Sequence, residues 1–176
     1  MGEMQAESYV KQYPGECTYC IVRPGNVYGR FDNFDSATGM VIPSLISRLC
    51  SGENPLRVWG SGNEIRDFIH ASDVASSMIF IMDNGITSPV NVSNGLPVSI
   101  SDLVAMIMDH FPNATSVFTN QGDRGDNKRI MNTKLINSFG WKPSISLKKG
   151  LADTIEWYKK EGYKGYQRYN SFKEKK

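Results

Sequence analysis

The stretch V-W-G-S-G-N-E-I-R-D-F-I-H-A-S-D-V-A places Arg66 shortly after two glycines, Gly60 and Gly62. A guanidinium can fork onto two closely spaced phosphates and stays charged at any working pH, so Arg66 is a candidate ligand for a nucleotide diphosphate. The two glycines would let the backbone approach such a ligand. An ion pair between Arg66 and Asp67 or Asp73 explains the same spacing. The residue types alone therefore leave a diphosphate contact and a structural ion pair open.

Four further residues have groups suited to a sugar nucleotide. Asn26 follows an apolar run, and its amide offers a donor and an acceptor, which suits sugar hydroxyls or a phosphate; a turn residue is the alternative. Val41 begins a predicted helix, whose free N–H groups can meet an anion. Val58 and Trp59 could line a base pocket, because an indole plane stacks on a nucleobase, but a core tryptophan fits as well.

The cysteines and histidines do not form a metal-binding pattern. Cys17 and Cys20 stand in a strand-like run without a second pair or a nearby histidine, and Cys50 is alone. His70 and His110 are predicted on different elements, which argues against a shared metal ion. We therefore expect reduced thiols and no metal site.

Predicted strands alternate with predicted helices, which favours an α/β layered architecture. Helices are predicted over residues 2–13, 42–50, 73–82, 103–111 and 147–158, and strands over 18–23, 56–59, 67–70 and 115–119, with a further strand in P-V-N-V-S-N. The first strand is expected to run into a Pro-Gly turn. Asp73 is the predicted N-cap of the third helix, and Ser99 or Ser101 that of the fourth.

The bulk composition fits one cytoplasmic globular domain. The chain has 176 residues, 40% of them hydrophobic and 22% charged, and no apolar run approaches the ~20 residues needed to cross a bilayer. The first residues lack the basic start and apolar core of a signal peptide. Residues 159–176 carry seven Lys/Arg and two Glu, which we expect to form a flexible, solvated tail rather than a nucleic-acid-binding arm.

Five motifs follow one another in order: R-P-G-N-V-Y-G, V-I-P-S-L-I, the stretch around Arg66, V-N-V-S-N-G and F-G-W-K-P-S-I-S-L-K-K-G-L. In this order and spacing they resemble the C-terminal half of the extended short-chain dehydrogenase/reductases, the NAD(P)-dependent nucleotide-sugar epimerases, dehydratases and reductases. Among these, the segment R-F-D-N-F-D-S-A-T-G-M-V-I-P-S-L-I together with V-W-G-S-G is most similar to the GDP-L-fucose synthases. The resemblance covers residues 1–158.

The resemblance implies a fold and a division of labour. Residues 1–158 would form the substrate-binding α/β subdomain and the last elements of a Rossmann-type doubly wound sheet. The sequence has no G-x-G-x-x-G, and its Gly2-Glu3 pair puts the family's catalytic lysine two residues ahead of Met1. The N-terminal dinucleotide-binding part, with the catalytic tyrosine and lysine, is therefore expected to be absent. This chain alone would then bind no NAD or NADP, the cofactor of the complete enzyme, and would supply no catalytic residue.

The resemblance also implies roles for the candidate residues. Arg66 would bind the nucleotide-sugar phosphates or the adjacent ribose, Asn26 would contact the substrate, and main-chain atoms at Val41 would meet the diphosphate. Arg124, in G-D-R-G-D-N-K-R, matches a position where relatives hold a second phosphate or ribose arginine, and Arg129 is the alternative.

Met40 departs from the pattern of the GDP-L-fucose synthases. These enzymes carry a histidine before V-(I/L)-P as the general acid of their epimerisation, whereas a thioether cannot donate a proton. Fucose synthesis is therefore not expected, and reduction, 4-epimerisation and dehydration stay open.

Two functions are compatible with the sequence. The first is the nucleotide-sugar-binding portion of an NAD(P)-dependent epimerase, dehydratase or reductase. The second is an inactive fragment or a standalone module that binds a nucleotide sugar or associates with another chain. Half of a doubly wound sheet leaves an unpaired strand edge, and residues 2–13 resemble a helix of the four-helix bundle through which family members dimerise. A homodimer or a missing N-terminal half is therefore the expected protein partner.

Overall fold

A computed structural model describes residues 2–16, 18–119 and 126–161. In these ranges it contains α1 (Gly2–Gln12), β1 (Val22–Pro24), β2 (Asn26–Tyr28), α2 (Val41–Cys50), β3 (Leu56–Trp59), β4 (Ile65–Arg66), β5 (Phe68–His70), α3 (Ala71–Asp83), β6 (Val90–Val92), β7 (Val98–Ser99), α4 (Ile100–Met108), β8 (Ser116–Thr119), β9 (Lys128–Arg129), α5 (Lys134–Ser138) and α6 (Leu147–Glu161). The α/β prediction is confirmed.

The strands pair almost entirely in parallel. β1 pairs with β6, β2 with β5, and β3 with β8, each in parallel. In the remaining sheet, β4 lies between antiparallel β7 and parallel β9. Parallel neighbours need long crossover connections, which explains why helices separate most of the paired strands along the chain.

The chain passes from one sheet to another at Gly25. The N–H of Gly25 donates to the carbonyl of Val92 on β6 at 2.9 Å, and the next N–H, of Asn26, donates to Asp67 beside β5 at 3.4 Å. The predicted Pro-Gly turn is therefore wrong, because the chain continues extended through this point. A Cβ atom on residue 25 would collide with the Ser93 hydroxyl, so the glycine provides close packing rather than a turn.

Two hydrophobic clusters hold the elements together. α2 buries Ile42, Leu45, Ile46 and Leu49 at helical spacing, and they join a cluster that α4 and α6 complete over β3 and β5. The second cluster fills the space between the β1–β6 pair, α3 and α5, and includes Val90, Val92, Ile81, Ile136 and Trp141.

Asp73 does not cap α3, so that prediction is wrong. The cap is His70, whose side chain accepts from the backbone N–H of Ser72 at 3.3 Å. The carboxylate of Asp73 instead accepts the N–H groups of Ser144 and Ile145, each at 3.0 Å, and the Ser144 hydroxyl at 2.8 Å. Asp73 therefore ties α3 to the segment that leads into α6.

One of the two predicted N-caps of α4, Ser99, is confirmed. The Ser99 hydroxyl accepts from the backbone N–H of Asp102 at 3.0 Å and is the N-cap. The short elements β7, β9 and α5 are not among the predicted elements, since two to five residues carry too little periodicity to be recognised.

A side-chain contact near the N-terminal end of α1 joins this helix to β1. It has no buried residue and exposes Met4 and Tyr9. Arg23 of β1 forms a forked ion pair with Glu3, in which Nε lies 2.7 Å from Oε1. Arg23 thus has a local structural contact.

Candidate functional site

Arg66 lies half-buried in β4, held by main-chain oxygens. Its Nη1 donates to the carbonyls of Ile65 at 2.9 Å and of Asp126 at 2.7 Å. Among the described residues the ion pairs are Arg23–Glu3 and Arg48–Glu53. Arg66 therefore forms no ion pair with Asp67 or Asp73, and the structural-pair alternative is wrong. Carbonyls fix the direction of the guanidinium without neutralising its charge, which leaves it able to bind an anion.

A second arginine stands beside Arg66 on the neighbouring strand. β9 runs parallel to β4 with Arg129 in register with Arg66. Residues in register on adjacent strands point to the same face, and adjacent strands lie about 4.8 Å apart. Arg129 and its neighbour Lys128 are exposed. Two cationic side chains on neighbouring strands and on one face repel each other, and an anion bound by both would relieve the repulsion.

Arg124, the predicted second arginine, lies outside the described residues. Its alternative, Arg129, lies on β9 in register with Arg66. The feature of the sequence that could have indicated a cation here is the Lys-Arg pair at residues 128–129. The register could not be deduced from it, because a two-residue strand has no detectable alternation.

Asn26 begins β2, and its side chain is partly committed to the fold. Its Nδ2 donates to the carbonyl of Asp67 at 2.8 Å. The residue is extended and paired with Phe68, so the alternative of a left-handed turn residue is wrong. Among the described residues, no hydrogen bond uses the Asn26 Oδ1, so this oxygen can accept from a ligand hydroxyl.

The first turn of α2 provides unshared backbone donors. The helix begins at Val41, as predicted for the anion contact, and its N-cap Met40 makes no side-chain capping bond. Met40 is itself exposed. The first N–H groups of a helix have no partner within the helix, so an uncapped start favours a neighbouring anion.

Val58 and Trp59 point in opposite directions from β3. Val58 is 3% exposed and belongs to the core, so its side chain is buried away from solvent and only its main chain could reach a base. Trp59 is 75% exposed, so the core-tryptophan alternative is wrong for this residue. An open indole face at the end of a strand is available for stacking on a base.

The glycine turn after β3 is closed by Glu64. Its carboxylate accepts from the N–H of Gly62 at 3.0 Å and from the N–H of Ser61 at 3.2 Å. The backbone N–H of Glu64 itself, followed by the N–H groups of Ser61 and Gly62, lowers the pKa of Glu64 below its usual value. Gly60 and Gly62 have φ angles of 89° and 84°, which other residues rarely adopt. The two glycines are thus required by the turn itself, in addition to any approach of a ligand.

Three surface clefts lie elsewhere on the described part of the molecule. They have volumes of about 470, 590 and 330 Å³ and lie beside α5, between α2 and the 34–36 loop, and beside the 110–114 segment. None of the five described site residues lines any of the three. The predicted site is therefore a separate region, formed around β4 and β9.

Within the described ranges, no helix has the length and apolarity to cross a membrane. The same residues contain no group of three or more histidine, cysteine or acidic side chains arranged to hold a metal ion.

A dinucleotide cradle needs a glycine-rich turn that opens a helix, with backbone N–H groups aimed at the pyrophosphate. The turn at Gly60–Gly62 leads into strand β4 instead, and Glu64 already occupies its N–H groups. The turn at Gly60–Gly62 therefore does not form a dinucleotide cradle.

Residues 1–93, more than half of the 176, match the model of the NAD dependent epimerase/dehydratase family. Curated relatives include a putative GDP-L-fucose synthase 2 from Arabidopsis thaliana, 36% identical over 143 residues, and the GDP-L-fucose synthase of Escherichia coli (strain K12), 31% identical over 169 residues. These alignments cover 77% and 86% of this chain, but 43% and 51% of the relatives. The chain thus spans about half the length of the curated relatives it matches.

Solved structures have the same fold over nine-tenths of the chain. A UDP-N-acetylglucosamine 4-epimerase from Methanobrevibacter ruminantium, in complex with UDP-N-acetylmuramic acid, superimposes with a TM-score of 0.80 at 25% identity, over 90% of this chain and 51% of that one. A GDP-L-fucose synthetase from Naegleria fowleri bound to NADP gives a TM-score of 0.81 at 21% identity, over 90% and 53%. This fold corresponds to the C-terminal half of an extended short-chain dehydrogenase/reductase, as the motifs predict. With its matching family model, the chain belongs to the NAD dependent epimerase/dehydratase family.

Proposed function

We propose that this chain is the nucleotide-sugar-binding portion of an NAD(P)-dependent nucleotide-sugar epimerase, dehydratase or reductase. The observation that carries the proposal is the pairing of Arg66 with Arg129 on adjacent strands. Arg66 is oriented by two carbonyls and has no carboxylate partner among the described residues. Paired guanidiniums without counter-charges suit a diphosphate, which carries two negative groups at similar spacing.

The candidate residues would each bind a different part of the ligand. The diphosphate would lie on Arg66 and Arg129, with Arg124 as a further candidate, and the uncapped start of α2 at Val41 would offer its N–H groups to the same charge. The Asn26 amide contacts the sugar, and Trp59 with the main chain of Val58 borders the base.

The contribution of such a site to a reaction is orientation. Holding the sugar in one pose against a hydride acceptor and a base converts a bimolecular encounter into an effectively unimolecular step. NAD(P) supplies the hydride chemistry in the complete enzyme. Met40 provides no proton at the start of α2, so the proposal favours simple reduction, 4-epimerisation or dehydration over fucose synthesis.

A structural neighbour supports the class of ligand. The relative from Methanobrevibacter ruminantium, with which this chain shares 25% identity and a TM-score of 0.80, holds UDP-N-acetylmuramic acid. A sugar linked to a nucleoside diphosphate is therefore the ligand class to test first.

A second candidate function is a catalytically inactive module in the cytoplasm that binds a nucleotide sugar or associates with another chain. The exposed α1 and the unpaired edge of β1 favour an association surface, and either a second copy or an N-terminal half would occupy it. On this candidate, the protein alone binds neither NAD nor NADP.

Isothermal titration of the 176-residue protein with UDP-glucose, dTDP-glucose and GDP-mannose tests the proposal. Arg66→Ala and Arg129→Ala should each weaken binding of the preferred ligand by ~1.5–3 kcal/mol, because each removes a hydrogen bond to a charged group. Lys148→Ala, which removes an exposed charge from α6, should leave the affinity unchanged. Equal affinity of the Arg66 variant and the unaltered protein, or no binding of any of the three ligands, would contradict the proposal.

A further inference from the structure

Asp67 is a buried carboxylate at the junction between two sheets. It lies between β4 and β5 and is 1% exposed. Both of its carboxylate oxygens lie 3.2 Å from the N–H of Gly95, which donates to them. Burial raises the pKa of Asp67 above its usual value, and the backbone N–H groups of Gly95, Met131 and Asn94 oppose that rise. Burying a charge is costly, and these donors offset part of the cost.

The same residue reaches the proposed ligand site through its main chain. Its carbonyl accepts the Asn26 side-chain Nδ2 at 2.8 Å and the Asn26 backbone N–H at 3.4 Å. Arg66 is its immediate neighbour in sequence and lies in register with Arg129 of β9. Asp67 therefore stands between the two parts of the site, the amide on β2 and the arginines on β4 and β9.

The carboxylate fixes this junction to the loops that pack against it. Gly95 belongs to the turn after β6, and Met131 follows β9. A Cβ on Gly25, the residue before Asn26, would collide with Ser93, so the start of β2 is packed directly against the same turn. Four segments thus meet around one negative charge, and three of them adjoin a candidate ligand residue.

We propose that Asp67 is the positioning residue of the nucleotide-sugar site: its buried carboxylate fixes the spacing between the Asn26 amide and the Arg66–Arg129 pair without touching the ligand. This inference rests on the proposed function. It accounts for an acidic residue placed directly beside the diphosphate arginine, where an exposed carboxylate would repel phosphate. The carboxylate is instead turned into the protein, and its donors are backbone groups of the flanking loops.

The test is a double-mutant cycle with Asp67→Asn and Asn26→Ala, read out by titration with the nucleotide sugar that binds best. The amide of Asp67→Asn keeps the shape of the side chain but places N–H donors against N–H donors. Asn26→Ala should weaken binding by about fivefold, the net value of one hydrogen bond. Asp67→Asn should cost at least as much, and adding Asn26→Ala to it should cost nothing further, because the amide is already displaced.

Asp73→Asn is the matched control. Asp73 is 2% exposed and also accepts two backbone N–H groups and a hydroxyl, but it ties α3 to the segment before α6, away from the proposed site. Both variants should lower the melting temperature, and affinity per folded molecule should fall only for Asp67→Asn. Additive effects in the cycle, or equal affinity losses in the two aspartate variants, would overturn the positioning role. If Asp67→Asn does not fold, Asp67→Ser replaces it in the cycle, because it removes the charge without placing an N–H donor against the Gly95 N–H, and a loss of the same non-additive kind is expected.

A measurement without ligand separates this inference from the proposed function. The side-chain amide of Asn26 should give a distinct nitrogen–proton NMR signal, slow to exchange with water while it is bonded to Asp67. Asp67→Asn should shift this signal and accelerate its exchange, whereas Asp73→Asn should leave it in place. If no nucleotide sugar binds but the signal responds in this way, the proposed function fails while Asp67 still positions Asn26. An unchanged signal overturns the inference whatever the titrations give.

Discussion

His70 is a buried imidazole with one nitrogen in use. Its Nδ1 caps α3, while its Nε2 is buried without a hydrogen-bond partner in the described structure. The ring meets Tyr28 edge to face at 5.5 Å between centroids. Burial lowers the pKa of His70, an effect that Asp73 and Asp153 oppose and Arg30 assists. The fold therefore prefers the neutral ring.

This preference predicts acid sensitivity of the folded state. In the unfolded chain His70 takes up a proton near pH 6.5, whereas in the fold it resists protonation until a lower pH. The free energy of unfolding should therefore decrease as the pH falls below about 6.5, by at most ~1.4 kcal/mol per pH unit for this one proton.

Urea unfolding at pH 7.5 and pH 5.5 measures the effect of His70. His70→Asn keeps a capping side chain but cannot titrate, so its stability should change less between the two pH values. His110→Asn, in the turn that follows α4, serves as the control and should retain the full pH dependence. An identical slope in His70→Asn and the unaltered protein would rule His70 out as the source.

The types of the candidate residues can be read from the sequence, but their geometry cannot. Arg66 is a candidate because a guanidinium suits a diphosphate, and Asn26 because an amide both donates and accepts. The role of Asp67 could not be found in this way. A carboxylate beside an arginine can pair with it or turn into the protein. Contacts with residues distant in sequence, such as the one between Asp67 and Gly95, decide which of the two occurs.

At the scale of the elements, the Arg48–Glu53 pair ties α2 to β3. Nε of Arg48 lies 2.7 Å from Glu53 Oε2, and Nη2 donates to the carbonyl of Arg57 at 2.5 Å. Glu53 also accepts the backbone N–H of Arg57 at 2.9 Å. The hydrogen bonds from Arg48 are the largest cause that lowers the pKa of Glu53 to about 2.

Glu53→Gln should therefore destabilise the protein at neutral pH by a few tenths to about 1 kcal/mol, since the pair is partly exposed to solvent. A carboxylate with a lowered pKa stabilises the fold fully above its unfolded pKa of 4.5 and loses that contribution as the pH falls towards about 2. The difference between the variant and the unaltered protein should shrink between pH 7 and pH 3 in chemical denaturation. Glu156→Gln, on an exposed position of α6, should show no such pH-dependent difference.

The start of α4 allows a matched pair of substitutions. Ser99→Ala removes the hydroxyl that accepts from Asp102 N–H, and should lower the free energy of unfolding by about 1 kcal/mol. Ser101→Ala removes a hydroxyl that is hydrogen-bonded to the Ser99 hydroxyl at 2.9 Å, and should cost less. Thermal or urea unfolding of both variants decides between them, and a larger loss for Ser101→Ala would place the cap elsewhere.

The predicted elements agree with the structure where a local signal determines the outcome. α2 is bounded by Pro43 in its first turn and Gly52 after its end, and β3 alternates buried and exposed side chains, so both lie within a residue of their predicted limits. The transition at Gly25 was missed because Pro-Gly usually marks a turn. Here the glycine is required by the side chain of Ser93, which is 68 residues away in sequence and close only in the fold.

At the scale of the whole molecule, a strand edge without a partner in the described structure and an exposed helix both belong to the N-terminal part of the chain. β1 pairs only with β6 in the described structure, so its other edge has free backbone groups. α1 is joined to β1 by the Glu3–Arg23 ion pair and presents apolar side chains to solvent. An 11-residue helix without buried residues is marginal by itself, because most helical stability in proteins comes from packing.

Deleting residues 1–13 should therefore leave the stability of the remaining chain almost unchanged. The deletion removes one exposed ion pair and no core side chain, and exposed ion pairs contribute little to folding. Differential scanning calorimetry at low protein concentration should give equal melting temperatures for the two lengths. If α1 mediates self-association, sedimentation equilibrium should show concentration-dependent mass for the full chain and a constant monomer mass for the deletion. A large fall in melting temperature at a concentration where both proteins are monomeric would mean that α1 stabilises its own chain, and the surface it presents would not be one kept for a partner.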